Sequence, residues 1–203
     1  MILVVGAIAG GYYAWKMWRL SQPAPPGAVD MEYPLRNGEF EVMQSGRFWN
    51  VHTSPKEKYA MDIVRLAGAK SWFQFRKSAL EDDTTYQTPV YSPCRGNIKK
   101  VVQNFPDMPI GIVGNSLEAN NVLIGCNGFD ASLVHFKQNS VLVGEGDIVE
   151  IGQQIAEIGN SGRTTGPHLH IAAYETDPQT NETTNVPITF DGRYFRRGEV
   201  FSN

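Results

Sequence analysis

A chain of 203 residues with 20 glycines, 12 prolines and a formal charge of -3 can hold one domain with a sizeable core plus an appendage. So small a net charge gives no basic footprint, and no nucleic-acid partner is expected. The Gly and Pro content, with many Val, Ile, Tyr and Phe, argues for a turn-rich β protein rather than a helical bundle. The only imidazoles are His52, His135, His168 and His170, so any site built on imidazole must draw on these four.

In chain order, residues 1–15 are uncharged and largely apolar, with Lys16 and Arg19 behind them. As a helix, residues 1–20 would be about 30 Å long, enough to cross a bilayer core. They are expected to form an uncleaved membrane anchor or signal-like helix, with Tyr12, Tyr13, Trp15 and Trp18 near one interface. The positions of Lys16 and Arg19 oppose export of the rest of the chain, because positive charge holds its side of a membrane in the cytoplasm. A buried or peripheral helix of a soluble protein is the competing reading. Residues 21–32 include SQPAPPGA and read as a stiff Pro-rich linker, which starts the folded domain (33–203) near Tyr33. Asn37-Gly38, between Tyr33–Leu35 and Phe40–Val42, has the form of a hairpin turn.

A polar loop from His52 to Lys58 leads into Tyr59–Val64, a strand pattern that sets Asp62 among apolar residues. A carboxylate there is costly unless paired, hydrogen-bonded or bound to a metal. In the polar stretch 66–86, Trp72, Phe73 and Phe75 are expected to cover the core. From Thr88 onward short strands alternate with turns: Pro89–Tyr91, Asn121–Cys126, Ala131–Phe136, Val141–Val143, and the run Val149–Ile158 after the Gly144–Asp147 turn. Such spacing predicts a barrel or sandwich, with no crossover helix long enough for a parallel sheet. Gly159–Ile171 then reads GNSGRTTGPHLHI. Pro167 biases Gly166 away from helix, so a strand is expected over His168–Ala172. On that strand His168 and His170 share one face while Leu169 and Ile171 point into the core. Taken alone, His-x-His fits two unrelated polar positions on a solvent-facing strand better than one metal ligand beside an acid, base or donor.

Five segments change that balance: HTSPKEKYAMDI (His52–Ile63), TPVYSPCRG (Thr88–Gly96), LVHF (Leu133–Phe136), VLVGEGDIVEIGQQIAEIGNSG (Val141–Gly162) and GPHLHI (Gly166–Ile171). In this order they resemble the lysostaphin/LytM-type zinc metallopeptidases, over roughly residues 33–197. The resemblance implies a mainly β fold, an antiparallel sheet or barrel-sandwich hybrid, here with an N-terminal hydrophobic helix. It also implies that His52, Asp62 and His170 bind one Zn2+ per chain and that His135 and His168 flank the open coordination position. The residue chemistry agrees: two imidazoles and a carboxylate suit a catalytic zinc that keeps a fourth place free, and two more imidazoles can carry protons. One departure stands out. The family's first motif sets its His four residues before the Asp, whereas His52 precedes Asp62 by ten.

Rival chemistries fit less well. Arg163 stands where a G-x-S-x-G elbow needs its second Gly, and the glycine-rich run lacks the GK[ST] ending of a phosphate loop. No Met-Lys-Met-like turn supports a biotinyl or lipoyl carrier. Cys126, which precedes His135, could serve as a nucleophile, but Cys94 and Cys126 fit a disulfide or separate burial better. The expectation is a zinc-dependent metalloendopeptidase of the cell envelope, anchored by its N-terminal helix and cleaving peptide bonds in peptidoglycan cross-links. The alternatives are a non-catalytic LytM-like module that binds or activates another cell-wall hydrolase or envelope protein, and an intracellular protein that shares the fold.

Overall fold

The computed structural model describes residues 11, 14–15, 17–18, 21–45, 52, 54–66 and 79–203. Its strands are β1 (Val29–Met31), β2 (Glu39–Gln44), β3 (Met61–Arg65), β4 (Pro89–Tyr91), β5 (Gly96–Val102), β6 (Asn121–Gly125) and β7 (Asp130–Val134). They continue with β8 (Ile148–Val149), β9 (Gln154–Glu157), β10 (Leu169–Thr176), β11 (Thr183–Val186), β12 (Ile188–Phe190) and β13 (Val200–Ser202). One antiparallel sheet of nine strands runs β13-β2-β3-β10-β7-β6-β5-β8, with β11 added beside β10. β4 and β9 form a second, antiparallel pair, and β1 pairs β12 in parallel. The mainly antiparallel β class inferred from the short, turn-bounded strands is the one observed.

β10 sits in the middle because its first five residues, Leu169–Ala173, are all buried, so both of its faces need cover. One face supplies Leu169 and Ile171 to the core, where they join Met61 and Ile63 of β3, Leu133 of β7, Val122 and Ile124 of β6 and Ile98 of β5. Burial of each such side chain contributes about 1.5–3 kcal/mol. The β4–β9 pair closes this core with Val90, Ile155 and Ala156. An aromatic group of Tyr33, Phe40, Phe190, Phe195 and Phe201 packs where β1 and β12 meet β2 and β13. The other face of β10 holds the polar residues of the candidate site. Cys94 and Cys126 are joined as a disulfide, with Cα atoms 6.0 Å apart, and clamp the β5–β6 hairpin at its open end.

Several local expectations change. Asn37 does take the left-handed turn conformation (φ 59°), but Tyr33–Leu35 is not a strand. The turn instead delivers β2 between β13 and β3, where Phe40 and Val42 are fully buried. β1 lies inside the stretch read as linker, because Val29 and Met31 find β12 as partner and Met31 is buried. Val141–Val143 is not a strand; a single backbone bond from Leu142 to Ile155 (2.9 Å) ties it to β9. Of residues 1–20 only Gly11, Ala14, Trp15, Met17 and Trp18 are described, and they are helical. No helix among the described residues is long and apolar enough to cross a membrane. Most of the expected anchor, with Tyr12, Tyr13, Lys16 and Arg19, lies outside the described residues, as do Trp72, Phe73 and Phe75.

Candidate metal centre

The register of β3 against β10 sets Asp62 directly opposite His170. Their side chains meet on the face away from the core, with Asp62 Oδ1 2.9 Å from His170 Nδ1. The loop before β3 brings His52 to the same carboxylate, its Nε2 3.3 Å from Asp62 Oδ2, and its ring stands edge-on to that of His170 at 4.8 Å. The ten-residue step between His52 and Asp62 therefore does not keep His52 away. Ligand atoms of His52, Asp62 and His170 all lie within 4.8 Å of one another.

The other two imidazoles flank this group. β10 begins at Leu169, so His168 stands just ahead of the strand and still shares the side of His170, with Nε2 3.6 Å from Asp62 Oδ1. His135 follows the last residue of β7 in a left-handed conformation (φ 70°), unusual for a residue that carries a Cβ. This bend turns its ring toward β10, 4.6 Å from His168 and 5.9 Å from His170, centroid to centroid. Three histidines thus reach one carboxylate, and the fourth, His135, packs against two of them. The side chains keep a little exposure, 11% for Asp62 and His170, 13% for His52 and 17% for His168, so solvent reaches the group.

Hydrogen bonds fix the ring protons. His135 Nδ1 lies 2.7 Å from the Ser161 carbonyl, which can only accept, so Nδ1 carries the proton and Nε2 the lone pair. His168 Nδ1 donates likewise to the Gly166 carbonyl at 2.9 Å, leaving its Nε2 lone pair free on the Asp62 side. The turn-rich GNSGRTTGP run thus supplies the carbonyls that orient both rings. His170 bridges two carboxylates: Nδ1 faces Asp62, and Nε2 is 2.9 Å from Glu57 Oε2.

Charge follows from these contacts. Burial by itself would raise the Asp62 carboxyl, but the imidazoles of His168, His170 and His52 outweigh it and hold the group well below the usual carboxylate range. Burial would likewise lower His170, yet Asp62 and Glu57 push it up to about 9. His135 goes the other way: burial, reinforced by His168 and His170, holds it well below the ordinary value. The site therefore keeps one neutral imidazole beside a carboxylate–imidazole group that binds positive charge.

That donor set fits a zinc ion. Neutral imidazole nitrogens and a carboxylate oxygen are its usual ligands, and atoms around a tetrahedral zinc stand about 3.3 Å apart, close to the 2.9 and 3.3 Å separations found here. The proton held between His170 Nδ1 and Asp62 occupies a place where a cation satisfies both lone pairs.

Some contributors are not legible in the motifs. Glu57 belongs to a Lys-flanked polar loop, and only the folded loop shows it reaching His170. Tyr174, four residues after His170 on β10, donates to Glu57 Oε1 at 3.2 Å. Asp107 accepts from the Asn160 backbone at 2.6 Å and from the Tyr86 hydroxyl at 3.2 Å, pinning the turn that carries Ser161. Asn120 is fully buried and bonds the backbone of Phe105 and Phe136.

The profile of peptidase family M23 matches residues 78–182. No curated protein matches the sequence. Among solved structures, a putative glycyl-glycine endopeptidase LytM from Ruminococcus gnavus is 17% identical, with 77% of this chain and 56% of that one aligned at a TM-score of 0.51. A zinc-containing peptidase from Vibrio cholerae is 21% identical over 78% of this chain and 39% of its own (TM-score 0.43). The catalytic domain of lysostaphin from Staphylococcus simulans is 16% identical over 72% of this chain and 86% of its own (TM-score 0.42). At these identities the first structure speaks for the fold alone, and this chain spans little more than half of it. The profile match covers more than half of the chain and includes His135, His168 and His170. The chain belongs to peptidase family M23.

Proposed function

We propose that this protein is a zinc metalloendopeptidase that hydrolyses peptide bonds in bacterial peptidoglycan cross-links. In this reading His52, Asp62 and His170 hold one Zn2+, and His135 and His168 are the catalytic residues. The observation that supports it is the clustering of all four imidazoles around Asp62, where His52, Asp62 and His170 form one group able to hold a metal and His135, His168 and His170 an overlapping one. In this reading residues 1–20 serve as membrane anchor, the Pro-rich stretch ahead of β1 as linker, and β1 onward as the peptidase, acting outside the cytoplasm. The peptidoglycan assignment rests on the family.

A zinc ion supplies a Lewis acid that polarises a carbonyl and acidifies a water molecule at neutral pH. The protein's own groups do the rest. His135, neutral and protonated on Nδ1, offers its Nε2 lone pair as the general base. The proton that His135 takes from water on Nε2 is the one to be passed to the leaving amine, while His168, held in the same tautomer by Gly166, would donate from Nε2 to a developing oxyanion after taking up a solvent proton there. Because both rings are anchored by backbone carbonyls, they need little reorientation during turnover.

The test is release of new amino termini from purified peptidoglycan, with and without a chelator, alongside the metal content of the purified protein. Chelator-sensitive release with one zinc per chain is expected. Release indifferent to chelation overturns the metal mechanism, and bound zinc without release favours a module that binds the wall or activates another hydrolase.

A further inference from the structure

We propose that Glu57 is a positioning residue of this metal centre. By taking the Nε2 proton of His170 it fixes the tautomer whose lone pair lies on Nδ1, beside Asp62. The inference rests on the reading that His52, Asp62 and His170 hold zinc, and it concerns a residue outside that trio.

The geometry is specific. Glu57 Oε2 lies 2.9 Å from His170 Nε2, on the far side of the ring from Asp62. Its other oxygen accepts the Tyr174 hydroxyl at 3.2 Å, so both carboxylate oxygens are held by β10. His170 and Tyr174 are four residues apart on that strand, hence on one face, and Glu57 spans them. An imidazole has two nitrogens and, when neutral, one proton. Without an acceptor at Nε2 the proton can sit on Nδ1, where it competes with a cation. An acceptor at Nε2 draws the neutral ring's single proton to that side and makes Nδ1 the better donor.

The loop is built to deliver this carboxylate. Glu57 closes a 3-10 turn, Pro55–Glu57, that begins with Ser54 accepting from the Lys56 backbone at 3.2 Å. Two residues on, the Tyr59 backbone donates to Asn185 of β11 at 2.6 Å, and Asn185 in turn donates to Ala173 of β10 at 3.0 Å. The extra residues between His52 and Asp62 thus form a turn docked on β10 and β11. They include the carboxylate that reaches His170. Glu57 also ties the segment holding His52 to the strand holding His170, so one side chain bears on two of the three proposed ligands.

The experiment measures zinc affinity by competition with a chromophoric chelator for the full chain and for Glu57→Ala, Glu57→Gln and Tyr174→Phe. Ring-nitrogen NMR of His170 in the zinc-loaded proteins reports the tautomer. One zinc per wild-type chain, with His170 protonated on Nε2, is the expected baseline. Glu57→Ala is expected to weaken zinc about 10- to 100-fold and to lose the sharp Nε2–H signal of His170. Glu57→Gln keeps an acceptor without the charge, so it should retain the tautomer at an intermediate affinity. It also serves if the alanine variant fails to fold. Tyr174→Phe should weaken zinc less than Glu57→Ala does. Wild-type affinity and an unchanged His170 signal in both Glu57 variants overturn the role of Glu57 while leaving the zinc site standing. A wild-type chain that takes up no zinc overturns the metal reading itself, and this inference with it.

Discussion

At the scale of single residues, the proposed division of labour separates binding from chemistry. His170→Ala removes a ligand and is expected to abolish both bound zinc and turnover, read by metal analysis and peptidoglycan digestion. His135 is not one of the proposed ligands, so His135→Ala should keep its zinc while turnover falls about 100- to 10,000-fold, the range for loss of a general base. Zinc lost from His135→Ala would place that ring in the metal shell instead. The metal-free protein offers a pH test. His170 is raised from 6.5 to about 9 in the folded chain, so its contribution to stability is complete below 6.5 and is lost as pH rises through about 9. Asp62 and Glu57 are lowered, so their contributions persist throughout that window. The melting temperature of chelator-stripped protein should therefore fall between about pH 6.5 and 9.5, and a flat profile would contradict the His170 bridge.

The same scale shows what the sequence could reveal. His168, His170 and Asp62 were legible because strand periodicity and the cost of a buried carboxylate act locally. Glu57 was not, because its partner lies 113 residues away and nothing in a polar loop marks which carboxylate folds back. The left-handed turn at His135 was equally hidden, since its orientation depends on a carbonyl 26 residues downstream.

At the scale of elements, the β5–β6 hairpin and the glycine-rich turn carry the testable burden. The Cys94–Cys126 bond closes a loop of 32 residues in sequence separation, which on loop-closure entropy stabilises the fold by about 3–4 kcal/mol. Reduction should lower the denaturant midpoint accordingly and leave zinc in place, since neither cysteine touches the site. Asn120 binds the Phe105 carbonyl at 2.8 Å and the Phe136 carbonyl at 3.0 Å, and its backbone NH donates to Ser161 Oγ at 3.0 Å. Asn120→Ala strands buried backbone groups and should cost about 1–3 kcal/mol in chemical denaturation. Turnover should fall with it, because Ser161 also holds the His135 ring. β4, β6 and β7 were readable with ends shifted by a residue or two, β10 was read four residues too short at its end, and β11 to β13 were not anticipated. Val141–Val143 misled because an apolar run can be buried by a loop: Val143 is buried there although it makes no ladder.

For the whole molecule, the mainly β class followed from composition, turn spacing and the lack of a crossover helix long enough for a parallel sheet. The parallel pairing of β1 with β12 could not be read, since it joins Val29 to Ile188 across almost the whole domain and only three residues of each strand take part. The envelope assignment makes a prediction at this scale. A reporter fused after Asn203 should be active outside the cytoplasm, and reporter activity confined to the cytoplasm would reject it.

The pairing of Asp62 with His170 spans 108 residues and lies at the centre of the sheet. During synthesis the carboxylate leaves the ribosome long before the imidazoles that complete its surroundings, so an unfinished polypeptide has no working centre. If the proposed activity holds, a catalyst assembled this way stays harmless inside the cell that makes it until nearly all of it exists. A message broken off ahead of β10 then yields an inert fragment and not an unrestrained lysin.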